Sequence, residues 1–404
     1  MGLGYQALGQ TIYSTRQLLS IQDSVAAQQL IQDNLRFLTV EKQNLALINE
    51  LEFRTETDEL DLSRQEYMMR LGLTNRKSRR AQDAITQNHI QYYQLQSQAV
   101  AETELINRYE LILAWQKAQS KSAYLAASKP LLVDQKTVYQ RLLEGSLDLD
   151  IKDLLKVESE LQALEREQLQ LRLTQESIAR QLLGSNQSSN DPSLDSANWI
   201  SLSTMSFVLD KVKSLPNENL AIAIQQSELD YEQLNLALEK AESSQVLDFV
   251  QLKYSGREAQ TIQQEFSLGI GISIPTKASS RQKLNEAQLD LFDEQYKQSL
   301  LQAKVDQKIS DYYTEYDQLV AAYQLLQQQI ASNDLAGTLE SYRNTGIVTP
   351  INLLRIKEIM LKDQRSLQKI EDEARVLFIK VIAIKGLLNQ SPRTNYLSEQ
   401  LGTY

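Results

Sequence analysis

Side chains that ordinarily carry chemistry are scarce in this chain. His89 is the single histidine among 404 residues and cysteine is absent. Zinc sites built from thiolate and imidazole are therefore excluded, as is thiol chemistry, and any histidine-based triad would have to use His89. That residue sits in TQNHIQYYQ, a glutamine-rich helical context, and reads as an ordinary helix-surface side chain. No catalytic, cofactor-binding or metal-binding residue is expected, no cofactor is implied, and the chain reads as a non-enzyme. A formal net charge of −10 argues against a nucleic-acid partner, which needs a basic face. Lack of cysteine does not separate cytosol from periplasm.

The pattern with chemical content is one of solvent preference. In EFSLGIGISIPT, Phe266, Leu268, Ile270, Ile272 and Ile274 alternate with Ser267, Gly269, Gly271 and Ser273. A period of two gives a strand with one large apolar face and one nearly bare face. EYMMRLGLTN repeats it with Tyr67, Met69, Leu71 and Leu73. Leu73 and Ile274 lie 201 residues apart, and so do Gly145 and Gly346 in RLLEGSLDLDIKDLL and YRNTGIVTPINLL. Half the chain is 202 residues, so two tandem copies of one plan are expected.

Each copy reads as helix, β-hairpin, long helix, tight turn, long helix. The first comprises residues 1–184, with a helix from about Thr15 to Ile48, a hairpin near 50–74 turning at DELDLSR, and a helical hairpin with its tip at 145. A linker follows over 185–216, opening with the Ser/Asn/Asp-rich stretch Gly184 to Trp199. The second comprises 217–390, with a helix from about Asn219 to Ser243, a hairpin near 246–275 turning at GREAQTIQQ and ended by Pro275, and a tip at 346; residues 391–404 form a tail.

Only 13 Gly and 6 Pro punctuate the chain, so its segments must be long. Leu154, Val157, Leu161, Leu164, Gln168, Leu171, Gln175, Ile178 and Leu182 keep alternating steps of three and four. So do Val305, Ile309, Tyr312, Tyr316, Leu319, Tyr323, Leu326 and Ile330, and again Leu367, Ile370, Ala374, Leu377, Val381, Ile384 and Leu388. That spacing means coiled-coil packing of antiparallel helical hairpins. A continuous helix from Arg76 to Leu143 would be about 100 Å long, and Pro130 should kink or interrupt it. No run of 18 apolar residues predicts a transmembrane helix. The start lacks a basic region followed by an apolar one, so a secretory signal, if there was one, is expected to have been removed.

Two hairpins isolated between long helices cannot form a stable sheet alone and need partners, which three chains could supply as twelve strands. Here the sequence resembles the TolC-like outer membrane factors, the trimeric exit ducts of tripartite efflux pumps and type I secretion systems. The resemblance rests on the tandem plan over nearly the whole chain, on GIGISIP followed by RQKLNEAQ, and on the two glycine turns with leucine-rich helix starts. It implies a mainly α fold, a trimeric α-barrel with a twelve-stranded β-barrel, and a passive, homotrimeric channel of the bacterial outer membrane and periplasm. It further implies that the helical tips dock a periplasmic adaptor, and through it an inner-membrane transporter.

On that resemblance the adaptor contacts are Arg141, Leu142, Gly145, Ser146 and Leu147 at one tip and Arg343, Thr345, Gly346, Ile347 and Val348 at the other. The pore constriction would carry Asn352 and Arg355 where family members often have acidic residues, so cation binding at the entrance does not carry over. Arg355 could instead pair with Glu358 on the same helix face. The lipid-facing row would be Tyr67, Met69, Leu71 and Leu73 with Phe266, Leu268, Ile270, Ile272 and Ile274. The hairpins depart from the family pattern: the first strand continues after Leu51 and Phe53 only as Thr55 and Thr57, and no aromatic girdle is evident at both ends. The alternative reading is a periplasmic scaffold whose reduced hairpins do not cross the bilayer, and a cytosolic coiled-coil protein is a third.

Overall fold

Few helix breakers and a sustained three-four apolar spacing call for long helices, and the computed structural model consists chiefly of them. It describes residues 12–20, 26–40, 48–57, 65–144, 151–183, 193–194, 198–244, 247–255, 266–272, 277–345 and 349–404. In chain order the elements are β1 (Ile12–Tyr13), α1 (Thr15–Ser20), α2 (Ala26–Val40), β2 (Ile48–Thr57), β3 (Gln65–Leu73), α3 (Arg76–Glu144) and α4 (Ile151–Leu183). Then come β4 (Ser193–Leu194), α5 (Leu202–Lys213), α6 (Leu220–Ser243), β5 (Leu247–Ser255), β6 (Phe266–Ile272), α7 (Lys277–Asn333), α8 (Leu335–Thr345) and α9 (Pro350–Ile384). The 201-residue offset recurs in these bounds. β3 and β6 begin at Gln65 and Phe266, α3 and α7 at Arg76 and Lys277, while α4 and α9 end at Leu183 and Ile384.

Two compact units cut across the copies. One holds Ser24–Val100 and Asn219–Val305; the other holds Met1–Asp23, Ala101–Glu218 and Asp306–Tyr404. The first unit takes the hairpin and flanking helix of each copy. In it Asn219 caps α6 by accepting from the Ala221 and Ile222 N–H groups. Leu229 and Leu236 of α6 pack with Ala287 and Leu291 of α7. α6 also binds α3 and the residue ahead of it: the Asn88 side-chain amide donates to the Ser227 carbonyl at 3.0 Å, and that of Asn75, just before α3, to the Ala241 carbonyl at 3.1 Å. His89 is not on an open helix surface; it is half-buried, stacked on Tyr231 with ring centroids 5.2 Å apart.

In the second unit, ion pairs Lys121–Glu167 (2.5 Å), Lys129–Glu165 (3.0 Å) and Lys136–Glu158 (2.9 Å) make α3 and α4 an antiparallel hairpin, since partners fall on one helix as they climb on the other. Between them Leu125, Leu132 and Tyr139 pack with Val157 and Leu164. None of the nine three-four positions expected along α4 is exposed. α3 runs unbroken through Pro130, so the expected interruption does not occur; the proline lies on an exposed face, where water can satisfy the carbonyl it leaves. The second copy does break nearby, three residues past the corresponding position 331: Asp334 separates α7 from α8 with φ 34°, and its carboxylate accepts from the Gly337 N–H at 3.0 Å.

The second unit's main core gathers Leu105, Tyr109, Ile112 and Trp115 of α3, Met205 and Leu209 of α5, Phe378, Val381 and Ile382 of α9, and Leu397. Residues 391–404 are thus part of the fold. The Tyr109 hydroxyl donates to the Thr394 carbonyl at 3.0 Å. The Glu399 carboxylate closes the start of α5, accepting from the Ser201 N–H at 2.6 Å and the Ser201 and Thr204 hydroxyls at 3.0 and 2.5 Å. Those bonds hold its pKa below the usual carboxylate range.

Two expectations differ. The helix expected from Thr15 to Ile48 is described over α1 and α2, residues 21–25 and 41–47 lying outside the described ones, and Ile48 is already the first residue of β2, because the β-hairpin's pairing extends to it: Ile48 faces Leu73. The stretch expected as linker contains β4, paired in parallel with β1 through Ile12–Ser193 and Tyr13–Leu194. Both expected hairpin turns lie outside the described residues.

One buried group predicts a pH dependence. Glu102 of α3 is 9% exposed, one of its carboxylate oxygens has no hydrogen-bond partner among the described residues, and burial pushes its pKa up to about 7. Between the ordinary glutamate value of 4.5 and about 7 the folded chain holds a proton that the unfolded chain has released. Stability therefore falls as pH rises through that window. Glu102→Gln is expected to remove the decline and to stabilise the protein at pH 8 by on the order of 2 kcal/mol, with little change at pH 4. Urea titrations of both proteins at the two pH values read it.

Candidate functional site

Strands β2, β3, β5 and β6 form one antiparallel sheet in that order. This corrects the expectation that each hairpin is isolated and finds partners only in other chains. β3 and β5 join them within the chain through seven residue pairs, from Glu66 opposite Ser255 to Gly72 opposite Phe249. The register shows why: it aligns apolar residues across all four strands. Leu51, Leu71, Val250 and Ile270 make one row and Phe53, Met69, Leu252 and Leu268 the next. A register slip by one residue would put every one of these on the polar face.

A third row, Thr55, Tyr67, Tyr254 and Phe266, brings aromatic rings together at the end of the sheet nearer the hairpin turns. Centroids are 6.2 Å apart for Tyr67 and Tyr254 and 5.1 Å for Tyr254 and Phe266, with Phe53 6.2 Å from Tyr67. The aromatic belt that the individual strands did not show is therefore formed at this end by cross-strand pairing. Tyr254, Leu252 and Val250 join the expected row; the alternation of VQLKYS, after the adjacent apolar pair Phe249 and Val250, is the signal for them in the sequence.

Among the described residues this face is bare. Leu268 is 71% exposed, Ile270 62% and Ile272 65%, while Leu51 and Phe53 on the other edge strand are 66% and 65%. So large a contiguous apolar surface is not left to water in a stable soluble protein. Of the residues expected in this row, Tyr67, Met69, Leu71, Phe266, Leu268, Ile270 and Ile272 share it, as the pairing shows, and Ile274 lies outside the described residues.

The opposite face is polar. Arg54 and Arg70 approach Glu52 at 2.5 and 3.7 Å, and Lys253 pairs with Glu66. These pairs let the charged first strand exist: β2 extends for ten residues in spite of its composition. On this face the Arg70 guanidinium lies 3.6 Å from the centroid of the Phe249 ring. The ring in turn covers Gly271, where an added Cβ would stand 2.1 Å from a ring carbon. One glycine of GIGIS is thus the bed of an aromatic side chain. The other, Gly269, has only an ordinary 3.6 Å contact with Gln251. Gly271→Ala is expected to displace Phe249 and with it Arg70, costing about 1–3 kcal/mol, whereas Gly269→Ala stays within about 0.5 kcal/mol of the parent. Paired denaturation curves distinguish them.

Away from the sheet, an open groove of about 1150 Å³ is lined by Gln87, Asn88, Gln91 and Gln94 of α3 and Asp230 and Gln233 of α6. It is a wall of amides, able to hydrate but with little to grip.

The helix ends expected to act as tips are described in part. Arg141 is exposed and Leu142 half-buried near the end of α3. Arg343 and Thr345 lie in the last turn of α8. Gly145, Ser146, Leu147, Gly346, Ile347 and Val348 lie outside the described residues. Asn352 is exposed in the first turn of α9, whose start carries Pro350. Arg355 does not take Glu358: its guanidinium donates to the Tyr139 hydroxyl of α3 at 3.4 Å. Glu358 is held by Lys362 at 2.5 Å and by the Gln135 amide at 3.1 Å. The four-residue Glu-to-Lys spacing is the better helical pair, and it wins.

No family model and no curated protein matches the sequence. Solved structures do match the fold. CusC, from a study of conformational changes accompanying folding and transmembrane channel formation, aligns with 92% of this chain and 91% of its own at 12% identity and a TM-score of 0.62. The outer membrane protein VceC from Vibrio cholerae aligns with 92% and 95% at 15% identity and a TM-score of 0.57. The MtrE outer membrane channel of Neisseria gonorrhoeae, in its open state, aligns with 96% and 90% at 11% identity and a TM-score of 0.59. The chain therefore has the fold expected from its sequence, that of the TolC-like helical-barrel channels.

Proposed function

We propose that this chain is one third of a passive exit duct spanning bacterial outer membrane and periplasm. The observation that carries the reading is the bare apolar face of the four-stranded sheet. Its edge strands β2 and β6 have no further strand beside them among the described residues. Three copies joined edge to edge give twelve strands, an even number suited to a closed antiparallel barrel with its apolar rows toward lipid and its ion pairs toward water. The helices next to those edges support the same closure: α2 exposes Leu30, Phe37 and Val40, and α7 exposes Leu289, Phe292, Tyr296 and Leu300.

The turns after α3 and α8 are then the tips that meet a periplasmic adaptor, with Arg141, Leu142 and Arg343 beside them, and the energy for export comes from an inner-membrane transporter. Asn352 and Arg355 stand near the narrowing. Three arginines there disfavour cation passage. An amide-lined interior would pass many polar cargoes.

Planar-bilayer recording of the detergent-purified protein tests the reading, with sedimentation in the same detergent. A trimer that conducts is the expected result. A folded trimer without channels would favour the periplasmic scaffold, and a monomer both in mild detergent and in plain buffer would sink both.

A further inference from the structure

Three distant stretches of chain, the start of α1, the residues ahead of α5 and the C-terminal segment, line a half-open cavity of about 220 Å³ in the second unit. At roughly 30 Å³ per water it has room for several waters or for one ring-sized ligand. Most of its lining is polar, including Arg16, Asn198, Asn395 and Gln400, with Trp199 and Gly402 among the rest. Trp199 is half-buried, and its indole N–H has no acceptor among the described residues. Asn395 is fixed in orientation: its amide donates to the Thr15 hydroxyl at 2.8 Å and its oxygen accepts from the Leu397 N–H at 3.0 Å. Arg16 is exposed, is the one charged residue of the lining and makes no ion pair among the described residues. Glu399, next to the lining in sequence, is committed to Ser201 and Thr204.

This set has a specific chemistry. An indole offers an apolar face to the C–H side of a sugar ring, amides and hydroxyls suit ring hydroxyl groups, and an unpaired guanidinium suits an anionic substituent. With no carboxylate among the described residues of the lining, a cationic ligand is disfavoured. We propose that the cavity binds a monosaccharide carrying one anionic group. The proposal does not depend on the duct reading, since every residue it uses lies in the one unit.

The test is isothermal titration of the full-length, detergent-purified protein with N-acetylmuramic acid, with glucose 1-phosphate and with neutral N-acetylglucosamine. Saturable binding of at least one anionic sugar, tighter than that of the neutral one, is expected; the two anionic arms decide between carboxylate and phosphate. Arg16→Gln should weaken the anionic sugar about tenfold and leave the neutral sugar unchanged. Gly402→Phe sets a large ring at the lining without a backbone clash, because an added Cβ there meets nothing within 4 Å; it should abolish binding while circular dichroism stays that of the parent. No saturable heat from either anionic sugar, equal affinity for the neutral one, or undiminished binding by folded Gly402→Phe overturns the proposal.

Discussion

Replacing Arg375 by methionine is expected to destabilise the protein by about 3–5 kcal/mol, the usual loss when one partner of a buried ion pair is removed. Arg375 of α9 is 5% exposed. Its guanidinium donates to Asp372 and Glu371, both at 3.1 Å, and to the Ile200 carbonyl at 3.2 Å, so one side chain ties α9 to the segment that leads into α5. Asp372 is 4% exposed and one of its carboxylate oxygens has no hydrogen-bond partner among the described residues. Burial already raises its pKa, while Arg375 is the first of the cations opposing that rise. Without the arginine the Asp372 carboxylate would have to be protonated or to remain charged in an apolar core. The loss should therefore be larger at pH 8 than at pH 5, where protonation relieves it. Asp372→Asn in the same chain should recover part of the stability. Denaturation midpoints of the two variants at both pH values check this, and an equal loss at both would assign the effect to packing.

The helices were legible because their signal is local and redundant. In α4 every three-four position from Leu154 to Leu182 avoids exposure, since α4 has one packed face. The same spacing says less near the end of α9, where Asp372, Ala374, Arg375 and the run from Leu377 to Ile379 are all buried against several neighbours at once. The strands were legible singly, through alternation. Their assembly was not, because the β3–β5 register joins residues nearly 190 positions apart, such as Tyr67 and Tyr254, and nothing local records it. That one pairing creates the aromatic row and the continuous apolar face. It also decides where the charges of ELEFRTET go. Read alone they argue against a membrane strand, but in the sheet they alternate onto the face that carries Arg70 and Lys253. The choice between Glu358 and Tyr139 as partner for Arg355 was likewise hidden, because it depends on a second helix and on a competing lysine.

The apolar face makes the second large effect a matter of solvent. Leu268→Arg is expected to abolish membrane assembly and conductance while leaving the helical body folded. In water an exposed substitution on a strand surface costs within about 0.5 kcal/mol, and Leu268 is 71% exposed. In lipid the same arginine costs about 2–4 kcal/mol near the bilayer midplane, and three copies in a trimer bring the total to roughly 6–12 kcal/mol. No flanking polar side chain in its row offers relief, since its cross-strand neighbours are Leu252, Met69 and Phe53. Ser267→Arg is the control: it changes the same strand by the same charge on the opposite face, in the row of Lys253, Met68 and Arg54. It should assemble and conduct, with altered ion selectivity. Membrane fractionation, bilayer recording and circular dichroism of the two variants separate the cases. Equal assembly by both, with normal helical content, would mean that the apolar rows never meet lipid.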